Sequence, residues 1–114
     1  MLPKINRIKK KKDFDTIFKN SKSLKNSLFV FKIAKNNLGI NRVGFIVSQK
    51  ISKKATIRNK VRRRLADAVS KEIENFKSGI DLLFIALSGI EKKEFSEIKQ
   101  AVGSTIIKSG LLSK

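Results

Sequence analysis

Apolar side chains recur at helical spacing in three parts of the chain, which are therefore predicted to be helices. The first covers residues 13–19, with Asp13 as a candidate N-cap and an apolar face formed by Phe14, Ile17 and Phe18. The second starts near Thr56 and stops before Gly79, with a stripe formed by Ile57, Val61, Leu65, Ala68, Val69, Ile73 and Phe76. The third starts near Glu91, and its stripe consists of Phe95, Ile98, Val102 and Ile106.

Other segments have the composition of β-strands. Residues 28–34 and 42–48 are rich in Val, Ile and Phe, and the turn-like residues 36–39 between them favour an antiparallel hairpin. Residues 80–87 form a nearly continuous apolar run, which is typical of a strand buried on both faces. Residues 20–26 are predicted to be a polar turn with room for a short edge strand. The order α-β-β-α-β-α predicts one domain over residues 1–114, with helices packed on a sheet and residues 1–12 as a basic N-terminal arm.

The charge of the chain indicates a function as well as a fold. Against 27 lysines and arginines there are 9 acids, which gives a formal net charge of +18. Residues 1–66 hold 20 of the basic residues and only two acids, so the whole excess lies there. Such a chain repels itself, and a polyanion relieves the repulsion. A nucleic acid is the first candidate partner.

The composition also excludes several kinds of chemistry. The chain has neither cysteine nor histidine, which removes thiol catalysis, histidine-activated nucleophiles, disulfides and Cys/His zinc sites. The acid pairs at 13/15 and 91/94 are interpreted as helix N-terminal acids, so we expect no metal site made by the protein alone. The longest apolar run, residues 82–87, is too short to cross a bilayer. We expect a soluble, cytoplasmic protein with no membrane partner and no catalytic residues.

A cluster of arginines is the most informative feature. Four of the six arginines fall within residues 58–64, and a general preference for lysine does not explain them. An ordinary solvated helix face is the alternative, but it would carry mixed charges, and residues 16–66 contain no acid. Guanidinium groups bind phosphate in a bidentate manner, and the Asn59 amide can order an arginine or contact RNA. The predicted RNA-binding residues are Lys53, Lys54, Arg58, Asn59, Lys60, Arg62, Arg63 and Arg64.

A second candidate surface combines aromatic rings with lysines. Phe14 and Phe18 lie beside Lys11, Lys12 and the strand 29–34, and rings in a basic groove bind single strands by stacking. Phe at positions i and i+4 is more often part of a core. Since a short helix that also packs Ile17 cannot turn both rings inward, we expect at least one ring to be exposed.

Residues 58–63, Arg-Asn-Lys-Val-Arg-Arg, resemble the signature Arg-Asn-x-x-Lys/Arg-Arg-x-x-Arg of the bacterial ribonuclease P protein subunit. The resemblance covers nearly the whole chain in order and includes residues 11–19, 29–30, 42–48, 53–54 and 81–86. There are two departures from the family pattern. Ala66 replaces the last signature arginine, for which Arg64 is a possible substitute, and Lys32 stands where some members have tyrosine.

The resemblance implies both a fold and a function. The fold would be a compact α/β sandwich with a sheet of about four strands, like a ribosomal-protein domain, including a left-handed βαβ crossover. The protein would bind ribonuclease P RNA and precursor tRNA, whose 5′ leader the RNA removes with its own Mg²⁺. This implies no cofactor on the protein and no small-molecule substrate. The arginine cluster and its preceding loop would contact the RNA subunit. The leader would be held by Lys11, Lys12, Phe14, Phe18, Phe31 and Lys32.

Other functions fit the charge alone. A structural ribosomal protein or a general RNA chaperone would use the same surface without assisting cleavage. A duplex-DNA binder would need a clear recognition helix, and a membrane-surface binder would need a helix with exposed apolar residues. Stimulation of leader release at low Mg²⁺ separates the ribonuclease P interpretation from these alternatives.

Overall fold

The computed structural model describes residues 6–73, 76 and 79–110. In chain order the elements are α1 (Lys11–Asn20), β1 (Lys22–Lys25), β2 (Phe29–Lys35), β3 (Arg42–Ile46), α2 (Ala55–Ser70), β4 (Ile80–Ala86) and α3 (Phe95–Ser109). A 3₁₀ turn, Ile90–Lys92, precedes α3. Within the described ranges, no helix has the length and apolar character needed to cross a membrane.

The four strands form one mixed sheet in the order β1-β2-β4-β3. Strand β2 is antiparallel to both β1 and β4, whereas β3 is parallel to β4. The predicted hairpin between residues 28–34 and 42–48 is therefore wrong, because β4 lies between β2 and β3. The position of β4 follows from its apolar run, since Leu82, Leu83 and Phe84 are completely buried and need cover on both faces. The β3-α2-β4 connection is the expected crossover between parallel strands, and its left-handed sense stays a prediction.

Helices cover both faces of this sheet, so the predicted α/β sandwich is confirmed. The larger core joins Phe29, Phe31 and Phe84 of the sheet to apolar residues of α2 and α3. The smaller core lies on the opposite face, where Ile17 of α1 packs with Ile8, Ala34 and Leu83. The strand alternation thus sends odd-numbered residues of β2 toward α2 and α3, and even-numbered residues toward α1.

Several boundaries differ from the predictions at the N-terminal side. The N-cap of α1 is Lys10, not Asp13, which lies in the first turn and binds Arg42. Part of the predicted arm packs on the sheet, because the Ile8 N–H donates to the Val43 carbonyl at 3.0 Å and the Ile8 side chain is buried. Residues 7–8 therefore lie along β3, while residues 1–5 are outside the described ranges.

The second predicted helix is shorter than its apolar stripe. Helix α2 ends at Ser70, yet Ile73 and Phe76 remain buried beyond it and complete the same core. An apolar stripe records which side chains face the core, and it continues when the backbone leaves the helix. Sequence periodicity therefore located the buried residues but overestimated the helix length.

One glycine inside α3 and one directly after it give a matched stability prediction. Gly103 lies inside the helix, and a Cβ there would meet no atom within 4 Å, whereas Gly110 follows the helix at a φ of +72°. We expect Gly103→Ala to raise the free energy of unfolding by about 0.5–1 kcal/mol, because glycine loses more backbone entropy than alanine in a helix. Gly110→Ala should lower it by about 1–2 kcal/mol because of the left-handed backbone. Urea denaturation followed by circular dichroism measures both changes in the free energy of unfolding. Two changes of the same sign would contradict a helical backbone at Gly103 with a left-handed backbone at Gly110.

Candidate nucleic-acid interface

Helix α2 presents the arginine cluster on the side away from the core. Its buried residues include Val61, Leu65 and Val69, while Asn59, Lys60 and Arg63 are exposed. The side chains of Arg58, Arg62 and Arg64 are half-buried, and Lys53 and Lys54 are exposed in the loop that leads into the helix. The structure thus brings all eight sequence-predicted residues of this group to one helix and its preceding loop.

Arg58 is tied to that loop. Its Nη1 donates to the carbonyl oxygens of Ser52 at 2.9 Å and Lys53 at 3.0 Å. The N-cap residue of α2, Lys54, makes no side-chain capping bond, so the guanidinium supplies a connection between loop and helix that the cap does not. Arg58 therefore fixes the backbone from which Lys53 and Lys54 project.

Arg62 and Arg64 are also oriented by bonds to neutral oxygens. Asn59 Oδ1 accepts a hydrogen bond from Arg62 Nη1 at 2.7 Å, and the Val47 carbonyl accepts from Arg62 Nη2 at 3.4 Å. Arg64 Nη1 donates to the Lys93 carbonyl at 2.6 Å, which connects α2 to the turn before α3. These acceptors carry no charge, so they set the direction of each guanidinium without neutralising it.

The second candidate surface lies on the α1 side of the sheet. The Phe18 ring is 47% exposed, which confirms that at least one of the two α1 rings faces solvent. Lys32 Nζ lies 5.6 Å from the centroid of that ring and donates to Ser23 Oγ at 2.8 Å. Lys11 and Lys12 are exposed in the first turn of α1. An exposed ring, a neighbouring ammonium group and further lysines are the components that single-strand binding requires.

Phe14 occupies an intermediate position between core and surface. A Cβ placed on Gly44 would lie 2.7 Å from Phe14 Cε1, so the ring rests directly on the glycine backbone of β3. Phe14 is half-buried and packs on the smaller core. The glycine of the Arg-Val-Gly segment thus makes room for the ring.

The placement of Phe31 on this surface is wrong. Phe31 is completely buried, and its ring packs against Phe84 with centroids 4.7 Å apart. Successive strand residues point to opposite faces, so Phe31 faces α2 and α3 while Lys32 faces α1. The sequence could have indicated this, because side chains alternate along β2 and only one of the adjacent residues Phe31 and Lys32 can face α1.

Sequence reasoning missed an ion-pair network between α1 and the sheet. Arg42 donates from Nε and Nη2 to the two carboxylate oxygens of Asp81, at 2.9 and 2.7 Å. Its Nη1 donates to Asp13 Oδ2 at 3.2 Å, and Asn36 Nδ2 donates to Asp81 Oδ1 at 2.7 Å. The hydrogen bond with Asp81 raises the pKa of Arg42, against the opposing effect of burial and with help from the charges of Asp81 and Asp13. The sequence feature that could have indicated this network is Asp81 at the start of an apolar strand, since a buried carboxylate requires a partner.

Comparison with known proteins identifies a family. Residues 2–109 match the family model described as Ribonuclease P. The "Ribonuclease P protein component" of Thermoanaerobacter sp. (strain X514) is 38% identical over 111 residues, covering 97% of this chain and 95% of that protein. The protein of the same name from Clostridium botulinum (strain Langeland) is 37% identical over 109 residues, covering 95% and 97%.

Solved structures agree with this result. The Staphylococcus aureus RNase P protein superposes with a TM-score of 0.86 at 25% identity, covering 95% of this chain and 98% of that one. The RNase P protein from Thermotoga maritima superposes with a TM-score of 0.79 at 27% identity, covering 90% and 96%. Sequence and fold therefore point to the same relatives along nearly the full length.

Proposed function

Because the chain belongs to the ribonuclease P protein family, we propose that it assembles with ribonuclease P RNA in the cytoplasm and assists removal of the 5′ leader from precursor tRNA. Membership makes the chain a protein component of an endoribonuclease. The observation that carries the finer proposal is the position of two candidate surfaces on opposite sides of one sheet. The arginine cluster of α2 lies on one face, and the Phe18–Lys32 surface lies on the other.

The arginine cluster is proposed to bind the RNA subunit. Its hydrogen bonds to neutral oxygens hold Arg58, Arg62 and Arg64 in fixed directions before RNA arrives, which reduces the side-chain entropy lost on binding. The exposed Arg63 and Lys60 add charge that phosphates can approach. The position of the last signature arginine, Ala66, is buried. Arg64, whose guanidinium donates to the Lys93 carbonyl in the turn before α3, remains the proposed substitute for that arginine.

The α1 surface is proposed to hold the leader as a single strand. Phe18 offers a ring on which a base can stack, and Lys32 offers an ammonium group for a phosphate beside that ring. Phe14 supports the surface from beneath through its contact with β3. Leader sequences differ between precursor tRNAs, so stacking and charge suit this task better than recognition of base edges.

Mg²⁺ is proposed to act through the RNA. In the described part of the chain, no three His, Cys, Asp or Glu side chains lie together. The protein instead supplies fixed cations that screen phosphates, and this lowers the Mg²⁺ concentration needed for substrate binding. Hydrolysis is assigned to the RNA subunit.

The test of this function is leader release. The purified chain, added to a bacterial ribonuclease P RNA and precursor tRNA at low Mg²⁺, is expected to restore cleavage that the RNA alone performs poorly. A structural ribosomal protein or a general RNA chaperone would bind RNA without this stimulation. A chain that binds the RNA subunit but leaves leader release at the level of RNA alone would favour that second function.

Phe18 gives a prediction specific to the leader. We expect Phe18→Ala to weaken holoenzyme affinity for precursor tRNA by about fivefold or more, because one stacked base is lost. Affinity for mature tRNA should not change. The matched control is Phe95→Ala, since Phe95 is another exposed phenylalanine but lies at the start of α3.

The response to the leader itself completes this prediction. Lengthening the leader by a few nucleotides should raise the contribution of the protein to affinity, whereas base changes should shift it by less than about 1 kcal/mol per position, below a good bidentate base contact. Affinities for precursor tRNAs with graded and permuted leaders measure both effects. A flat response to length, or equal losses from Phe18→Ala and Phe95→Ala, would contradict a leader surface beside α1.

A further inference from the structure

A cleft of about 340 Å³ lies between residues 7–9, β3 and α2. Part of its lining is apolar and includes Val43, Phe45 and Ala66. Another part is basic and consists of Arg7, Lys9, Arg62 and Arg63, and none of the described residues that line the cleft is acidic. The volume falls within the range of small-ligand pockets, which combine apolar walls with a few polar groups.

Two features fix the shape of this cleft before any ligand enters. The Phe45 ring is stacked on Phe84, with centroids 5.6 Å apart and planes inclined by 21°, so it is held in place. The Arg62 guanidinium is held by Asn59 and by the Val47 carbonyl. Both the apolar and the cationic parts of the lining are therefore positioned by neighbours.

Ala66 determines how much space is available. It is buried on α2 and lines the cleft, and its side chain is only a methyl group. A longer side chain at this position would take up part of the cleft. The departure from the signature arginine at Ala66 thus leaves space in the cleft that Arg62 and Arg63 also line, and a longer residue would reduce that space.

We propose that this cleft receives one unstacked nucleotide of the RNA subunit, with the base against Phe45 and Ala66 and a phosphate near Arg63 and Lys9. The inference rests on the proposed function and adds to it a defined subsite. A phosphate alone would gain nothing from the apolar lining, and an apolar molecule would gain nothing from the four basic side chains. A nucleotide uses both, since its base is planar and its phosphate is anionic. The RNA subunit is the source because α2 also carries the cluster proposed to bind it, whereas the leader surface lies on the α1 face.

Adenosine monophosphate tests the cleft on the isolated full-length chain. Amide resonances of Val43, Phe45 and Ala66 are expected to shift on titration with this nucleotide, less with adenosine and not with inorganic phosphate. Ala66→Met should weaken this binding by about tenfold, because it fills the space that the base would occupy. The control, Ala55→Met, places the same side chain at an exposed position of the same helix and should leave binding unchanged. If inorganic phosphate produces the same shifts as the nucleotide, the base subsite is wrong.

Assembly with the RNA subunit provides the second measurement. Ala66→Met should weaken RNA-subunit affinity by about tenfold, because the displaced nucleotide loses its stacking in the cleft. Phe45→Leu, which keeps an apolar side chain but removes the ring, should act in the same direction if Ala66→Met does not fold. Unchanged affinity in a folded variant overturns the cleft while leaving the proposed function intact. Failure of the unmodified chain to bind the RNA overturns the proposed function itself, and with it the assignment of the nucleotide to that RNA.

Discussion

Replacement of Arg42 by alanine is expected to lower the free energy of unfolding by about 3–5 kcal/mol, because it leaves a buried carboxylate without its cation. The Asp81 side chain is only 7% exposed and receives two hydrogen bonds from Arg42. The third bond, to Asp13, joins the same guanidinium to α1. Loss of Arg42 therefore removes charge compensation and one connection between α1 and the sheet at the same time.

Three further variants isolate the cause. Lys35→Ala removes an exposed cation at the end of β2 and should change stability by no more than about 0.5 kcal/mol. The double variant Arg42→Ala with Asp81→Leu leaves no unpaired charge at the buried position of Asp81, so it should be more stable than Arg42→Ala. Asp81→Leu alone completes the cycle. Urea denaturation followed by far-ultraviolet circular dichroism suits a chain without tryptophan or tyrosine. Equal stability of Arg42→Ala and the unmodified chain would contradict a structural role for the network.

The pH dependence of this contribution follows from the direction of the Arg42 pKa. The hydrogen bond with Asp81 raises that pKa in the folded chain. A cation with a raised pKa stabilises the fold fully below its ordinary value, and the contribution is lost only as pH rises through the higher folded value. The Arg42 contribution therefore extends from neutral into moderately alkaline pH and is lost only where the guanidinium gives up its proton.

The elements of the fold were predictable from local patterns, but their arrangement was not. The continuous apolar run of β4 identified a strand buried on both faces, and its central place in the sheet agrees with that. The neighbours of β4 are set by contacts between residues far apart in sequence, as in the pairing of Val43 with Leu82. Local composition therefore favoured a hairpin of β2 with β3, whereas long-range packing places β4 between these two strands. The wrong placement of Phe31 on the leader surface has a different cause. The alternation of side chains along its own strand was enough to assign Phe31 to the core face.

The candidate site shows the same division. Clustering alone identified the arginines of α2, and Asn59 was expected to order one of them, as its bond to Arg62 does. The bond from Arg64 to the Lys93 carbonyl depends on how α2 meets the turn before α3. The cleft beside Ala66 depends on residues 7–9 lying along β3. Features made by two distant segments leave no local pattern, so sequence periodicity could not indicate them.

Arg62 should be the residue whose loss most weakens binding to the RNA subunit without disturbing the fold. A hydrogen bond to a charged group contributes about 1.5–3 kcal/mol, so Arg62→Ala is expected to reduce affinity by about 10- to 150-fold. Each phosphate contact removed should also flatten the slope of log affinity against log salt by about 0.7–0.9. Arg58→Ala should weaken binding as well, but it also releases the loop carbonyls of Ser52 and Lys53, so its effect combines contact and positioning.

Matched variants decide whether a site or only net charge drives this binding. Lys99→Ala on α3 and Lys92→Ala in the preceding 3₁₀ turn remove the same unit of charge from a part of the chain that is neutral overall, and we expect little loss from either. Arg62→Lys keeps the charge but not the planar fork, so it should recover only part of the affinity. Asn59→Ala removes the amide that holds Arg62 and should weaken binding with an unchanged salt slope, because no phosphate contact is lost. Filter binding of the RNA subunit across a salt series measures all six variants. Equal losses from Arg62→Ala, Lys92→Ala and Lys99→Ala would mean that the net charge of +18, rather than the geometry of α2, determines the affinity.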